Sequence, residues 1–274
     1  MTSLRPLLGT YVGIDARHPD SRVAAAAIEA AFNAIETVQR LMTAFDANSD
    51  IGRINARAHE EPVTVHPWTA EVLRLGQALH HDSDGLFDCG IAPRLASWDM
   101  LPPDTMARPQ SSVARLCIDD DNRVSSTQPT RIDLGGIAKG YAADKAAEAA
   151  IAAGATGVVV NAGGDLRIAG DAEEVIHLRH PSQPAQACEA GTLADGAIAT
   201  SGTYFSKRQY QSTWVSALVD PRSGQPVLDD ASYSVIAPSC SLADGLTKVL
   251  ALSRNPNHPC LQRHGAQALI LQPS

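Results

Sequence analysis

The sequence predicts an α+β fold, and three observations carry that reading. Helical and extended patterns mix along 274 residues without the regular strand–helix–strand repeat of a doubly wound parallel sheet. Short runs of Val, Ile and Leu, read as buried strands, sit between alanine-rich helical stretches. Two glycine pairs, Gly135–Gly136 and Gly163–Gly164, fall at the ends of such runs, where the chain must turn.

The elements follow in order. Asp20 or Ser21 can cap a first helix whose apolar positions Ile28, Phe32, Ile35, Val38 and Met42 recur at helical spacing. A second helical pattern runs from Thr69 through Val72, Leu73 and Leu79 and stops near Gly85. His80 and His81 fall in its last turn, where a partial negative charge favours them. The proline-rich segment Trp98–Ser112 reads as a surface loop, followed by strand-like runs at Arg115–Ile118 and Arg131–Leu134. A helix from Ile137 to about Ala153 ends at Gly154, a suitable residue just past a helix end. "TGVVVN" is a buried strand, with further strands at Leu166–Ala169 and Val175–Arg179 and a hairpin around "VDPRSGQPV". A last helix near Ala243–Leu252 precedes a final strand, "ALILQ".

Composition removes several functional classes. With 22 basic against 30 acidic side chains the formal charge is -8, and no Lys/Arg run offers a footprint for nucleic acid. No apolar run approaches the ~20 residues that span a bilayer. Five cysteines, an odd number with no C-x-x-C pair, argue against a disulfide framework and a zinc site. "MTSLRPLLGTYVGI" lacks the features of a secretory signal, so a cytoplasmic location is expected, or a periplasmic one if a leader has been removed.

Some segments can carry chemistry. In "IDLGGIAKGYAADKAAEAA" a strand end, Gly135–Gly136 and a helix leave free N–H groups at a helix N-terminus, with Lys139 adding a full positive charge. That arrangement suits a phosphate; equally it is a tight turn packing a helix on a strand. A Walker loop is excluded because Gly140, not Ser or Thr, follows the lysine. In "VVVNAGGDLRIAG", Asn161 and Asp165 flank Gly163–Gly164: either a hairpin turn or a place where a ligand approaches the backbone and both side chains reach it. "AIATSGTYF" is not the G-x-S-x-G elbow of hydrolases, and Asp82, Asp84 and Asp88 lack the glycine and final acid of a calcium loop. Asp244 and Lys248 share a helix face, as a solvated ion pair or as a pair pointing into a site.

Taken in order, "LLGTYVGI", "MTAFDANSDIGRIN", "GLFDCGIAP", "IDLGGIAKGYAADKAAE", "VVVNAGGDLRIAG", "AIATSG", "VDPRSGQP" and "LADGLTKVL" resemble the ApbE family, the FAD:protein FMN transferases. The resemblance runs from Leu7 to about Leu252. It implies one flavin-transferase domain over residues 1–274, with mixed sheets, packed helices and a central FAD cleft. It implies magnesium-dependent transfer of FMN from FAD to a threonine or serine hydroxyl of a target flavoprotein, with release of AMP. Such transfer needs charge neutralisation and positioning more than a covalent nucleophile. Position by position it implies FAD contacts at Leu8, Phe45, Leu86, Phe87, Asp88, Asp133, Lys139 and Leu218. Asp244 would be the principal magnesium ligand, with the Gly136 carbonyl and the nearest hydroxyl, Thr247. Two positions depart from the family pattern: Ala217 stands where a histidine base is usual, and Lys248 where a threonine is usual. Lys248 beside a metal site repels the cation or replaces it by neutralising the pyrophosphate directly. These departures keep two rivals in view, a non-catalytic FAD-binding or flavin-storage protein and an FAD pyrophosphatase.

Overall fold

The structure, a computed structural model, describes residues 1–103, 111–183, 186–204 and 206–273. In chain order the elements are β1 (Thr2–Leu7), β2 (Thr10–Arg17), α1 (Ser21–Met42), α2 (Asp50–Arg57), β3 (Val63–Thr64), α3 (Pro67–Asp82), α4 (Ala92–Ser97), β4 (Leu116–Ile118) and β5 (Arg123–Ser126). They continue with α5 (Ala138–Ala152), β6 (Gly157–Ala162), β7 (Asp165–Arg179), β8 (Ala187–Gly202), β9 (Arg208–Tyr210), β10 (Thr213–Val215), β11 (Ser232–Ala237), α6 (Cys240–Ser253), α7 (Pro259–Arg263) and β12 (Gln267–Leu271). The chain divides into two compact units, one of Met1–Gln39, Ile137–Gly202 and Asp230–Ser274, the other of Arg40–Gly136 and Thr203–Asp229.

The first unit is built on a seven-stranded sheet in the order β1-β2-β6-β7-β8-β11-β12. Every neighbouring pair is antiparallel, which is why no βαβ rhythm shows in the sequence. Strand parity separates its two faces. One face carries an apolar cluster of Val159, Ile168, Ala172, Ile176, Leu178 and Ile198. The other faces α5, which packs on β6 and β7, and α6, which packs on β8 and β11. The two helices also pack on each other, closely enough that a Cβ at Gly140 would run into the Cys240 carbonyl. Glycine is required there by helix contact rather than by backbone conformation.

Most of the expected elements are present, with differences that have physical causes. Asp20 opens α1, its carbonyl accepting the Val23 and Ala24 N–H groups, and the stripe Ile28, Phe32, Ile35, Val38, Met42 is buried. Helix α5 ends as expected at Gly154, whose φ is +103°. The two strands expected at Leu166–Ala169 and Val175–Arg179 are one long strand, β7, with register shifts between Ile168 and Glu173 and between Ile176 and His177. Irregular pairing carries the chain through "GDAEE", a polar stretch that reads as a break. The hairpin around "VDPRSGQPV" is a turn closed by a single bridge, Val219 to Pro226.

In the second unit β3, β5 and β4 form a three-stranded sheet, and β9 pairs with β10. Helix α3 starts two residues before the expected Thr69, because Pro67 fits the first helical position and His66 caps it. Helix α2 lies outside the expected helices; the Ser49 hydroxyl accepts the Gly52 N–H at 2.8 Å and starts it. The run Arg131–Leu134 is not a strand. Its backbone partners are side chains and loops: the Asn55 amide donates to the Ile132 carbonyl at 2.9 Å and accepts its N–H at 2.8 Å, and the Asp133 N–H donates to the Cys89 carbonyl. Of the proline-rich segment, residues 104–110 lie outside the described residues, and Leu101 is buried against Ala92 and Leu95 rather than on a surface loop.

Candidate active site

In the first unit the sequence-selected residues of three distant segments meet at one end of the sheet. Strand β2 pairs with β6, Val12 opposite Ala162, so the Leu8–Gly9 and Gly163–Gly164 turns lie at the same end. A Cβ at Gly163 would press on the Thr10 side chain at 2.7 Å, so the second turn seats directly against β2. Leu8 holds φ at 55°, an uncommon value for a branched side chain, and its N–H donates to the Gln39 amide oxygen at 2.6 Å. The exposed Asn161 closes the glycine turn, its Oδ1 accepting the Gly164 N–H at 2.8 Å. Asp165, first residue after that turn, points toward α5 and α6.

Four charged side chains then form a tetrad. The Lys139 ammonium, from the first turn of α5, is bonded to Asp165 Oδ2 and lies 3.7 Å from Asp244 Oδ2. Asp244, in α6, accepts the Gly140 N–H on Oδ2 at 3.1 Å and the Lys248 ammonium on Oδ1. Lys248 donates a second bond to the Asp244 carbonyl at 2.9 Å. The carboxylates form the base of the cluster, their side chains 3% and 1% exposed, whereas those of Lys139 and Lys248 are 34% and 19% exposed. The lysine side chains are thus the more exposed members of the cluster.

Electrostatics follows from this packing. Burial opposes ionisation of Asp244, but Lys139 and Lys248 outweigh it and hold the carboxyl below its ordinary range. Asp165 moves the other way: burial, and then the Asp244 charge, push it up against the pull of the lysines. Burial works against the Lys139 charge too, yet Asp244 and Asp165 prevail and keep the ammonium above its ordinary value. Cys240, beside the cluster, is pushed well up by burial and by the Asp165, Asp144 and Asp244 charges, which makes it an inert thiol.

Two residues that sequence reasoning passed over hold the scaffold. Asp144, on α5, accepts the Cys240 and Ser241 N–H groups at 2.7 and 2.8 Å and so fixes the start of α6. Arg167 Nε lies 3.6 Å from Asp144 Oδ1. The signal was a lone acid among alanines in "YAADKAA". Thr247 is fully buried; its hydroxyl donates to the Asp244 carbonyl at 2.7 Å and lies 2.7 Å from Ser201 Oγ.

The other selected residues belong to the second unit. Phe45 is 70% exposed, whereas Leu86, Phe87 and Leu218 are buried. Asp88 is committed to peptide groups, its Oδ1 accepting Gly90 N–H at 2.7 Å and Val113 N–H at 2.8 Å, with His80 Nδ1 3.1 Å from Oδ2. Burial pushes the Asp133 carboxyl up, against the Gly135 N–H that it accepts at 3.1 Å. Gly136 lies in the turn before α5, and the Ala217 N–H donates to Ser206 Oγ at 3.3 Å.

The magnesium ion implied by the resemblance can be tested against these donors. Magnesium needs carboxylate oxygens at about 2.0–2.1 Å. Asp244 Oδ1 already holds one ammonium, and Oδ2 faces a second and a peptide N–H. Among the described residues, no group of three or more His, Cys, Asp or Glu side chains could hold a metal. The residues present do not fit the ion.

The antiparallel sheet with two helices on one face matches known proteins over nearly the whole chain. The structure superposes on the ApbE protein of Thermotoga maritima with a TM-score of 0.82 at 25% identity, covering 98% of this chain and 93% of that one. A Vibrio cholerae FAD:protein FMN transferase is 27% identical over 229 residues, 77% of this chain and 69% of its own length. A Rhodobacter capsulatus protein of the same name is 28% identical over 220 residues, and the chain spans 42% of its length. The ApbE family profile matches residues 8–270. The chain belongs to the ApbE family.

Proposed function

We propose that this chain, over residues 1–274, is a flavin transferase that moves the FMN part of FAD onto a threonine or serine hydroxyl of a target flavoprotein. The acceptor oxygen forms a bond to the FMN phosphorus as the phosphorus–oxygen bond to the AMP phosphate breaks. AMP leaves, and the hydroxyl proton passes to solvent. The observation that carries the reading is the tetrad in a chain of this family: two part-exposed lysine side chains paired with two buried carboxylates, at the mouth of α5. Lys139 and Lys248 supply positive charge where a pyrophosphate gains charge during transfer, and Asp165 and Asp244 hold them in place before substrate arrives. Flavin transfer by the curated relatives supports the choice of substrate.

The test is incubation of the chain with FAD and a threonine-bearing target domain, followed by mass spectrometry of the target. An FMN adduct together with free AMP is the expected result. FMN and AMP with an unmodified target identifies a pyrophosphatase, and FAD recovered whole identifies a binding protein; either overturns the proposal. Magnesium dependence enters through the same assay, run with chelator and with added magnesium.

A further inference from the structure

We infer that the Lys248 ammonium takes the place of a divalent cation in this site, so that the FAD pyrophosphate is held by Lys139 and Lys248 without a metal. The inference rests on the proposed substrate, FAD, and on the geometry of the tetrad.

The place a metal would need is filled. Lys248 contacts Asp244 Oδ1 and also bonds the Asp244 carbonyl at 2.9 Å, so two contacts pin its ammonium in the one-turn gap of α6. Lys139 approaches Oδ2, and the Gly140 N–H occupies it. A cation would have to displace Lys248, and two like charges do not share so small a space. The charges within the tetrad already cancel, with two carboxylates against two ammonium groups.

The orientation of the charges favours an anion. The lysine side chains form the exposed layer and the carboxylates the buried one. A metal finds the Asp244 oxygens already taken by N–H donors, whereas a phosphate finds donors on the two lysines. An ammonium has three donors. The bonds of Lys248 to Asp244 use two, which leaves one for a phosphate oxygen. Lys139 keeps donor capacity beyond its bond to Asp165.

The decisive experiment is FAD titration of the purified chain by fluorescence quenching, in chelator and in millimolar magnesium. The wild type should bind FAD with affinities that agree within about twofold under the two conditions. Lys248→Met should weaken binding in chelator by about tenfold or more, the loss of one charge-assisted hydrogen bond. Lys248→Arg should retain most of the affinity. Lys248→Thr, which opens Oδ1 and adds a neutral oxygen, should bind weakly in chelator and recover in magnesium. Calorimetry with magnesium alone should show no binding to the wild type. A wild-type affinity that rises about tenfold with magnesium overturns the inference, whether or not any variant folds, and leaves the flavin reading standing. Wild-type affinity in Lys248→Met likewise overturns it. Failure of the wild type to bind FAD under either condition removes both readings.

Discussion

Two acids with shielded side chains in this chain have been put to opposite uses. Asp88, in the second unit, faces peptide N–H groups of Gly90 and Val113, with His80 beside it. Asp244, in the first, faces the ammonium groups of Lys139 and Lys248 and one peptide N–H. Both carboxylates are shielded from solvent, so burial does not distinguish them. Their partners do. An acid satisfied by peptide groups fastens a loop, whereas an acid satisfied by part-exposed cations holds charge ready for a ligand.

Asp244→Ala should break this contrast most severely. It strands two ammonium groups and the Gly140 N–H, and breaking a buried pair costs about 3–5 kcal/mol. Urea unfolding should show that loss along with loss of flavin transfer; a variant with wild-type stability would mean that Asp244 is not the hub of the tetrad. Lys139→Met comes next, at about 2–3 kcal/mol, reduced from a full buried pair because the lysine is part-exposed. A lysine whose folded pKa is raised contributes stability that is fully present below its ordinary value of about 10.5 and is lost as pH rises through the higher folded value. The stability gap between wild type and Lys139→Met should therefore stay level between about pH 8 and pH 10 and close only at higher pH. A gap that closes below pH 9 would contradict the raised value.

Gly140→Ala tests geometry without touching charge. The added methyl meets the Cys240 carbonyl and Asp244 Cβ, and overpacking of this kind costs about 1–3 kcal/mol. Thermal melting should drop, and FAD binding should weaken as α5 and α6 separate. Asp88→Asn should have the smallest effect, under about 1 kcal/mol, because an amide oxygen still accepts the Gly90 and Val113 N–H groups. A larger loss of stability would show that the charge of Asp88, and not its shape, holds the loop.

Much of this was legible in the sequence because it is local. The apolar stripe of α1, the glycine that ends α5 and the Gly163–Gly164 turn follow from spacing and backbone preference alone. Lys139, Asp165 and Asp244 were selected from ordered motifs, and folding brings them together across 105 residues of chain. What escaped depends on partners far away. Arg131–Leu134 has the composition of a strand, but the Asn55 amide, 77 positions earlier, occupies the Ile132 N–H and carbonyl that a neighbouring strand would use. Asp144 looked like one acid in an alanine helix, and only the start of α6 reveals its purpose. The Asp244–Lys248 pair follows from spacing along one helix; that it is buried and shares Asp244 with Lys139 comes from the fold.

The contact between α5 and α6 also has a kinetic signature. Three amide hydrogens, those of Gly140, Cys240 and Ser241, are each bonded to a carboxylate on the opposite helix. None of the three bonds closes within its own helix, so each amide becomes free for isotope exchange when the helices part. A slide by one helical turn, about 5.4 Å, would release all three at once. They form a built-in clock for the separation of these helices, and their exchange rates should fall together when a ligand clamps the lysines between them.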